Sequence, residues 1–486
     1  MPGTQDSIQT DGESVAATST AHRLLFGGHP PVDASTVVVR RVKTAIGLGL
    51  LVDGDRLPSE SDMAQQLGVT NWSLRDALAA LREQGLIITR KGKNGGSFVK
   101  RPEQVESLGG IELERLSAVD LRDLSDWRRM LLAEAASLAA SRATEADVTV
   151  LKARAEDVAS APDPFHARRA YGRFRVDLAV AAQSLRLSNS EFAAHEDADL
   201  IFGLLFSDDS LRLEISARLG ALAAAVERRD PEQARSVAHL HSQENLASLL
   251  KLRLTAIAEG AKPSDQRSLE DEIRSLGDFV LTQLGRVAET SGPFLAQGDA
   301  GEQARRAIAD MSIREIAQSV FPLDGLGIVA EVGVLPEHPY WLAWWHRTAA
   351  GVEQDNRHIL DPEHPYFYDY QDREWMTHPR SQREPWATGP YIDRGGADDF
   401  LISITHPIVH SGSFLGISGA DVRVSELERY LAPWLSARPV VVLNAAKRVV
   451  VSSSVEFTVG DSLPEDLSAD AKELGIFGWS VLYTAH

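Results

Sequence analysis

The 486-residue sequence predicts a multidomain chain. A winged helix-turn-helix comes first, then an all-α helical bundle, then an α+β domain with a long N-terminal helix and an antiparallel sheet. Three observations carry this. Two short helical segments punctuated by Gly68 and Gly85 precede a small hairpin with a basic, glycine-rich tip. From Asp120 to Thr255 apolar residues recur at helical spacing, with almost no alternating pattern. Beyond Ala261, long helical segments give way to short apolar runs separated by turns. At roughly 100–200 residues per domain, this length accommodates about three cores.

The N-terminal module is expected over residues 35–102. Val37–Leu51 is amphipathic, with Arg40, Arg41 and Lys43 between its apolar positions. Asp53-Gly54-Asp55 is a turn, and Ser59-Glu60-Ser61-Asp62 opens a helix that Gly68 closes. Thr70 or Ser73 caps the next helix, which ends at Gly85. Leu86–Thr89 and Ser97–Val99 form a hairpin around Arg90-Lys91-Gly92-Lys93-Asn94-Gly95-Gly96, whose cations suit a phosphate backbone or a minor groove. Charge agrees: residues 35–102 hold eleven Lys/Arg against six Asp/Glu, a net +5, in a chain whose total is −19. A locally basic module on an acidic body suits a nucleic-acid reader that resists indiscriminate phosphate binding.

The run Gly54-Asp55-Arg56-Leu57-Pro58-Ser59-Glu60, then Leu67-Gly68-Val69-Thr70, Leu74-Arg75-Asp76-Ala77-Leu78 and Glu83-Gln84-Gly85-Leu86, resembles the GntR family of winged-helix regulators. The resemblance implies a homodimer on a pseudo-palindromic operator, with the second helix of the motif in the major groove. On it, Arg40, Arg41, Ser59, Thr70, Asn71, Trp72, Arg75, Lys91, Gly92 and Lys93 are the candidate DNA contacts. Arg75 can bind a guanine or a phosphate, or else pair with Asp62 or Asp76. Trp72 either packs on DNA or braces its own helix.

The middle part, residues 115–258, reads as helices over Leu124–Ser141, Glu145–Ala159, Phe165–Ala182 and Leu211–Glu227. Leu124-Ser125-Asp126-Trp127-Arg128 followed by Ala135–Ala140 resembles the effector-binding bundle of the FadR-type subfamily. Many members hold a divalent metal there on an Asp and three His. Tyr171, Arg175, Leu219 and His241 fall at those positions, and Tyr, Arg and Leu are no substitute for Asp and His. The metal site is therefore expected to be lost and no cofactor is expected.

The last part, residues 264–486, follows a polar hinge at Ala261–Arg267. It opens with helices over Ser268–Ala288 and Gln303–Gln318. Strands are expected at Ile328–Val334, Phe400–Ile404, Phe414–Ile417, Val440–Asn444 and Val449–Ser453. Aromatics cluster here, among them Tyr340, Trp341, Trp344, Trp345, Tyr366 and Trp386. The ordered landmarks Tyr368-Asp369-Tyr370, Arg373-Glu374-Trp375, Gly389–Asp393, Ile404–Pro407 and Gly412–Val422 resemble a Cache sensor domain. That resemblance implies a pocket for a small ligand, an amino acid, amine or small carboxylate. Arg373 would clamp a carboxylate, Asp393 would meet an ammonium, and Trp375, Tyr368 and Tyr391 would wall the site. Trp345, Tyr370 and Thr405 complete the candidate lining. Asp421 either joins it or caps the helix at Ser425.

Composition excludes other classes. Cys is absent, which rules out disulfides and thiolate metal sites and fits a reducing cytoplasm. No apolar run reaches membrane-spanning length: Ile46–Val52 stops at Asp53 and Val440–Ala446 at Lys447. Residues 1–34 lack the basic start and apolar core of a signal peptide and read as a disordered tail. Gly325-Leu326-Gly327 fits a dinucleotide fingerprint only in part, and no βαβ unit surrounds it. The expectation is a ligand-responsive DNA-binding regulator, a repressor by family habit, and not an enzyme. The alternatives are an organic-acid sensor in the bundle, with the last domain as an oligomerisation module, and less readily a regulator fused to an enzyme.

Overall fold

The computed structural model describes residues 34–48, 50–90, 92, 95–100, 105–259, 267–299, 301–348, 351–355, 358–364, 367–393, 400–454 and 456–484. The expected tail up to residue 33, Lys91, Lys93, Tyr366 and the hinge up to residue 266 lie outside the described residues. The chain divides into two compact units, one spanning His29–Ala256 and the other including Ile257–His486. Among the described residues no helix is long and apolar enough to cross a membrane.

The first unit begins with α1 (Ala34–Gly47), α2 (Glu60–Leu67), α3 (Asn71–Glu83), β1 (Ile87–Arg90) and β2 (Gly96–Val99). Ser59 caps α2 by accepting the Asp62 amide, and Gly68 ends it in the left-handed conformation at φ 68°. Thr70, not Ser73, caps α3: its hydroxyl accepts the Ser73 amide at 3.1 Å. Val38, Val42 and Ile46 of α1 pack with Leu74, Ala77, Leu78 and Leu81 of α3, and Ile87 and Val99 close this core over the antiparallel hairpin.

The bundle follows with α4 (Val105–Arg115), α5 (Ala118–Arg142), α6 (Glu145–Ala159), α7 (Pro164–Ala181), α8 (Leu185–Gly203), α9 (Asp209–Glu227) and α10 (Pro231–Glu259). Ser117 with Asp120, and Thr144 with Asp147, make complete capping boxes at α5 and α6. Alanines dominate the interior, including Ala135, Ala136, Ala139, Ala179, Ala182 and Ala223, so the helices approach closely. The last turn of α1 is seated on this bundle. Arg173 Nε donates to Leu48 O at 2.8 Å, and a Cβ on Gly47 would come 2.8 Å from Asp199 Oδ2. A Cβ on Gly172 would meet both Leu48 and His195 at 2.6 Å.

The second unit carries α11 (Leu269–Ala296) and α12 (Glu302–Gln318), then β3 (Gly325–Ala330), β4 (Leu342–Thr348), β5 (Gly351–Gln354), α13 (Glu374–Gln382), β6 (Trp386–Ile392), β7 (Phe400–His410), β8 (Ser413–Arg423) and α14 (Val424–Leu435). The strands form an antiparallel sheet in the order β5-β4-β3-β8-β7-β6. Ser411 and Gly412, at φ 50° and 84°, make the tight turn between β7 and β8. β7 and β8 run well past the expected segments, and β3 starts and ends earlier than expected. A smaller sheet of β9 (Val440–Leu443), β10 (Val449–Ser452), β11 (Lys472–Glu473) and β12 (Ser480–Tyr483) follows, with α15 (Glu465–Ser468) beside it in sequence.

Candidate functional site

The exposed start of α3 presents Asn71, Trp72 and Arg75. Trp72 is 70% exposed, so it does not brace its own helix. Arg75 Nε pairs with Glu60 at 2.8 Å rather than with Asp62 or Asp76, and both side chains of the pair are exposed. Arg40 and Arg41 are exposed on α1, where the Arg41 guanidinium lies 5.9 Å from the Phe192 ring. The Ser59 hydroxyl accepts the Asp62 amide and donates to the Asp62 carboxylate at 2.6 Å. At the hairpin tip Gly92 has φ 112°, a conformation that favours glycine. Arg56 Nη2 donates to Gly95 O at 2.7 Å and fastens the tip to the loop before α2. Arg90 lies over Phe98 at 4.6 Å. A groove of about 940 Å³, its open side included, runs between α2 and the hairpin past Arg56, Ser59, Glu60 and Thr89.

In the bundle, Tyr171, Arg175 and His241 come together, and Leu219 is buried in the surrounding core. Arg175 binds Glu191 through Nε at 2.5 Å and through Nη2 at 3.1 Å, and donates to Tyr171 Oη at 3.4 Å. Tyr171 Oη and His241 Nε2 are 3.2 Å apart, and Asn245 Nδ2 lies 3.0 Å from the same nitrogen. Burial, then the charges of Arg175, Arg218 and Arg128, hold the His241 pKa well below its usual range. This cluster does not fit a divalent cation. A fixed guanidinium occupies one ligand position, and a leucine without donor atoms occupies another.

In the second unit a cleft of about 580 Å³, its mouth included, opens on one face of the large sheet. Tyr368, Trp375, Tyr391, Asp393, Thr405 and Asp421 all line it, brought from β6, β7, β8, α13 and the segment before α13. Ser403 donates to Asp421 Oδ1 at 2.6 Å and shares a 2.8 Å hydrogen bond with Tyr391. Tyr368 donates to Asp393 at 3.3 Å. Asp421 therefore belongs to the cleft; Arg423, not Asp421, holds the cap position of α14. Burial, with the nearby charges of Asp393, Asp324 and Asp355, pushes the Asp421 carboxyl up to about 8 against the pull of the Ser403 hydrogen bond.

Three expected lining residues lie elsewhere. Trp345 is buried, and strand alternation turns its neighbour Trp344 into the cleft instead. The Tyr370 hydroxyl is used structurally, donating to Ala330 O and accepting the Trp341 amide, each at 3.0 Å. Arg373 is exposed outside the lining, with its guanidinium 5.9 Å from the Tyr368 ring. Its expected role as a carboxylate clamp has no counterpart among the lining groups.

Residues 34–99 match the model described as bacterial regulatory proteins, gntR family. The chain is also 31% identical over 265 residues to the Mycobacterium gastri protein named "Putative HTH-type transcriptional regulator RmpR", covering 96% of that protein and 54% of this chain. The chain belongs to the gntR family. This gntR-family protein is a DNA-binding transcription regulator that carries a sensor domain: residues 345–429 match the model described as methyl-accepting chemotaxis protein-like, first PDC sensor domain. Two further relatives come from Escherichia coli. The "Putative L-lactate dehydrogenase operon regulatory protein" is 35% identical over 162 residues, 32% of this chain and 62% of that protein. The "Glc operon transcriptional activator" is 36% identical over 116 residues, 24% of this chain and 45% of that protein. The regulator thus spans less than two thirds of the length of these two.

Sequence reasoning missed several residues of this regulator's candidate sites. Glu60 and Arg56 sit inside the quoted motif, but their partners, Arg75 and Gly95, are distant in sequence. Glu191, which neutralises Arg175, lies on a helix whose apolar face is interrupted by Ser, Asn and His. Asp324, Asp355, His346, His358, Ser403 and Trp344 complete the cleft. Trp344 is one of the clustered aromatics, and the glycines of β3 that make room for its ring are the sequence signal that singles it out.

Proposed function

We propose that this regulator is a homodimer on a pseudo-palindromic operator, a repressor located in the cytoplasm, and that it senses a small amino-acid- or amine-like metabolite in the cleft of its second unit. Asn71, Trp72 and Arg75 would read the major groove. Arg40, Arg41, Ser59, Thr70 and the hairpin tip at Lys91, Gly92 and Lys93 would hold phosphates. Ligand in the cleft would bias DNA binding only if its affinity differs between DNA-competent and incompetent states.

The observation that carries the sensing role is the cleft itself, where aromatic walls enclose the buried carboxyl of Asp421, held by the Ser403 hydroxyl. The bundle is the weaker candidate, because the charge of Arg175 is already met by Glu191. No catalytic step is assigned to any residue.

The test is a thermal-shift screen of the full chain against amino acids, amines and small carboxylates, followed by operator binding with and without each hit. Stabilisation of about 2.7 kcal/mol is expected at a hundredfold excess over Kd. Hits that persist in Asp393→Asn and Asp421→Asn would refute the cleft as the sensor.

A further inference from the structure

We infer that the cleft reads its ligand through an uncharged carboxamide head, which the Trp344 indole N–H meets on one side and Asp421 Oδ2 on the other. This rests on the reading of the cleft as the sensor site, and it favours an amino amide over a free amino acid or a plain amine.

Strand register brings the two groups together. Gly325 of β3 lies opposite Asp421 of β8. Gly327 lies opposite Trp344 of β4 on one side and Gly419 of β8 on the other. Residues directly opposite one another share a face of the sheet, and the cleft opens on this face. The indole lies over the glycines because they leave it room: a Cβ would come 2.9 Å from its Cε3 at Gly327 and 2.9 Å from its Cη2 at Gly419. Its nitrogen edge is thereby brought to Gly325, where a Cβ would stand 2.6 Å from Nε1 and 3.5 Å from Asp421 Oδ2.

Trp344 and Asp421 both line the cleft, and among the described residues neither Nε1 nor Oδ2 has a hydrogen-bond partner. The Ser403 hydroxyl is taken by the other oxygen of Asp421, Oδ1, at 2.6 Å. An indole N–H can only donate, so it calls for an acceptor. Asp421 titrates near 8, which puts both of its forms within reach around neutral pH. As a carboxyl it donates to an oxygen, and as a carboxylate it accepts an N–H. A carboxamide gives its carbonyl oxygen to the indole and answers Asp421 in either form. An ammonium cannot accept from the indole, and a carboxylate cannot donate to Asp421.

The rest of the lining argues for a head without charge. Among the described lining residues none is Lys or Arg, so a carboxylate head finds no cation there. The acids already have partners: Asp324 pairs with Arg423 at 3.0 Å, and Asp393 accepts from Tyr368 at 3.3 Å. Burial, then the converging charges of Asp393, Asp324 and Asp355, disfavour a negative charge on Asp421. A ligand carboxylate beside it would meet the same opposition. A carboxamide adds no charge and still fills the hydrogen-bonding positions on both sides of Gly325.

The test is isothermal titration of the full chain with three probes that share an aminopropyl tail and differ in the head: 4-aminobutanamide, γ-aminobutyrate and butylamine. A panel of α-amino acids and their amides runs alongside. 4-Aminobutanamide is expected to bind about tenfold more tightly than either of the other two. Trp344→Phe keeps an aromatic ring and removes the N–H. It is expected to lower the affinity for 4-aminobutanamide about tenfold and to leave that for butylamine unchanged, so butylamine reports on the fold of the variant. Tighter binding of γ-aminobutyrate, butylamine or a free α-amino acid than of the matching amide would overturn the carboxamide assignment and leave the sensor reading standing. Equal loss of the amide and butylamine, in a Trp344→Phe chain with the wild-type Tm, would overturn the role of the indole N–H. Absence of binding by every probe would overturn both readings.

Discussion

Asp421→Asn should abolish a pH dependence of stability that the wild-type second unit carries. The folded Asp421 carboxyl titrates near 8, against an ordinary value of 3.8. Between those values the unfolded chain has released the proton and the folded chain retains it. Each added pH unit therefore favours the unfolded state by at most about 1.4 kcal/mol, and the loss levels off above pH 8. Asparagine keeps the shape and the oxygen that accepts from Ser403, and does not titrate. The stability difference between variant and wild type should accordingly grow with pH. Its ceiling is about 2.7 kcal/mol between pH 5 and pH 7, and part of the Asp421 side chain faces the cleft, which keeps the observed gain below that ceiling. Urea unfolding followed by tryptophan fluorescence, repeated across pH 5–9, measures it. Parallel curves for the two proteins would refute the argument.

Three further outcomes follow from the same geometry. The affinity of a cationic ligand should rise with pH up to about 8, by no more than about tenfold per unit, because binding must displace the Asp421 proton; calorimetry in buffers of different ionisation heat would show the released proton. Arg175→Met should cost roughly 3–5 kcal/mol in urea unfolding by stranding the buried Glu191 carboxylate, and adding Glu191→Leu should recover most of it. Arg75→Ala should weaken operator binding by about 1–3 kcal/mol in fluorescence anisotropy. It should change folding stability by less than about 1 kcal/mol, since its pair with Glu60 is exposed.

The winged helix was legible because its punctuation is local. Ser59, Gly68 and Thr70 each act on residues within one turn of themselves, so spacing alone places the helices. Most of the cleft was legible in kind: Tyr368, Trp375, Tyr391, Asp393, Thr405 and Asp421 do converge. Trp345 was expected where Trp344 stands, because which face of β4 turns inward depends on its pairing with β3, and a run of two tryptophans carries no phase of its own. Asp324 and Asp355 were invisible for a similar reason, since each reaches the cleft through strand pairing. In the bundle, the replacement of metal ligands was legible at Tyr171, Arg175 and Leu219. The carboxylate that answers Arg175 was not, because sixteen residues and a helix turn separate the two.

The seat of α1 on the bundle has a mechanical consequence. Gly47 has no room for a methyl group beside Asp199, and Leu48 is held by Arg173 while its side chain fills the space above Gly172. α7 supplies Gly172 and Arg173 to this seat and α8 supplies His195 and Asp199, so the end of α1 is gripped by two bundle helices at once. α1 in turn packs Val38, Val42 and Ile46 against Leu74 and Ala77 of α3. The helix that presents Arg75 is therefore tied to the bundle through α1 as well as along the chain.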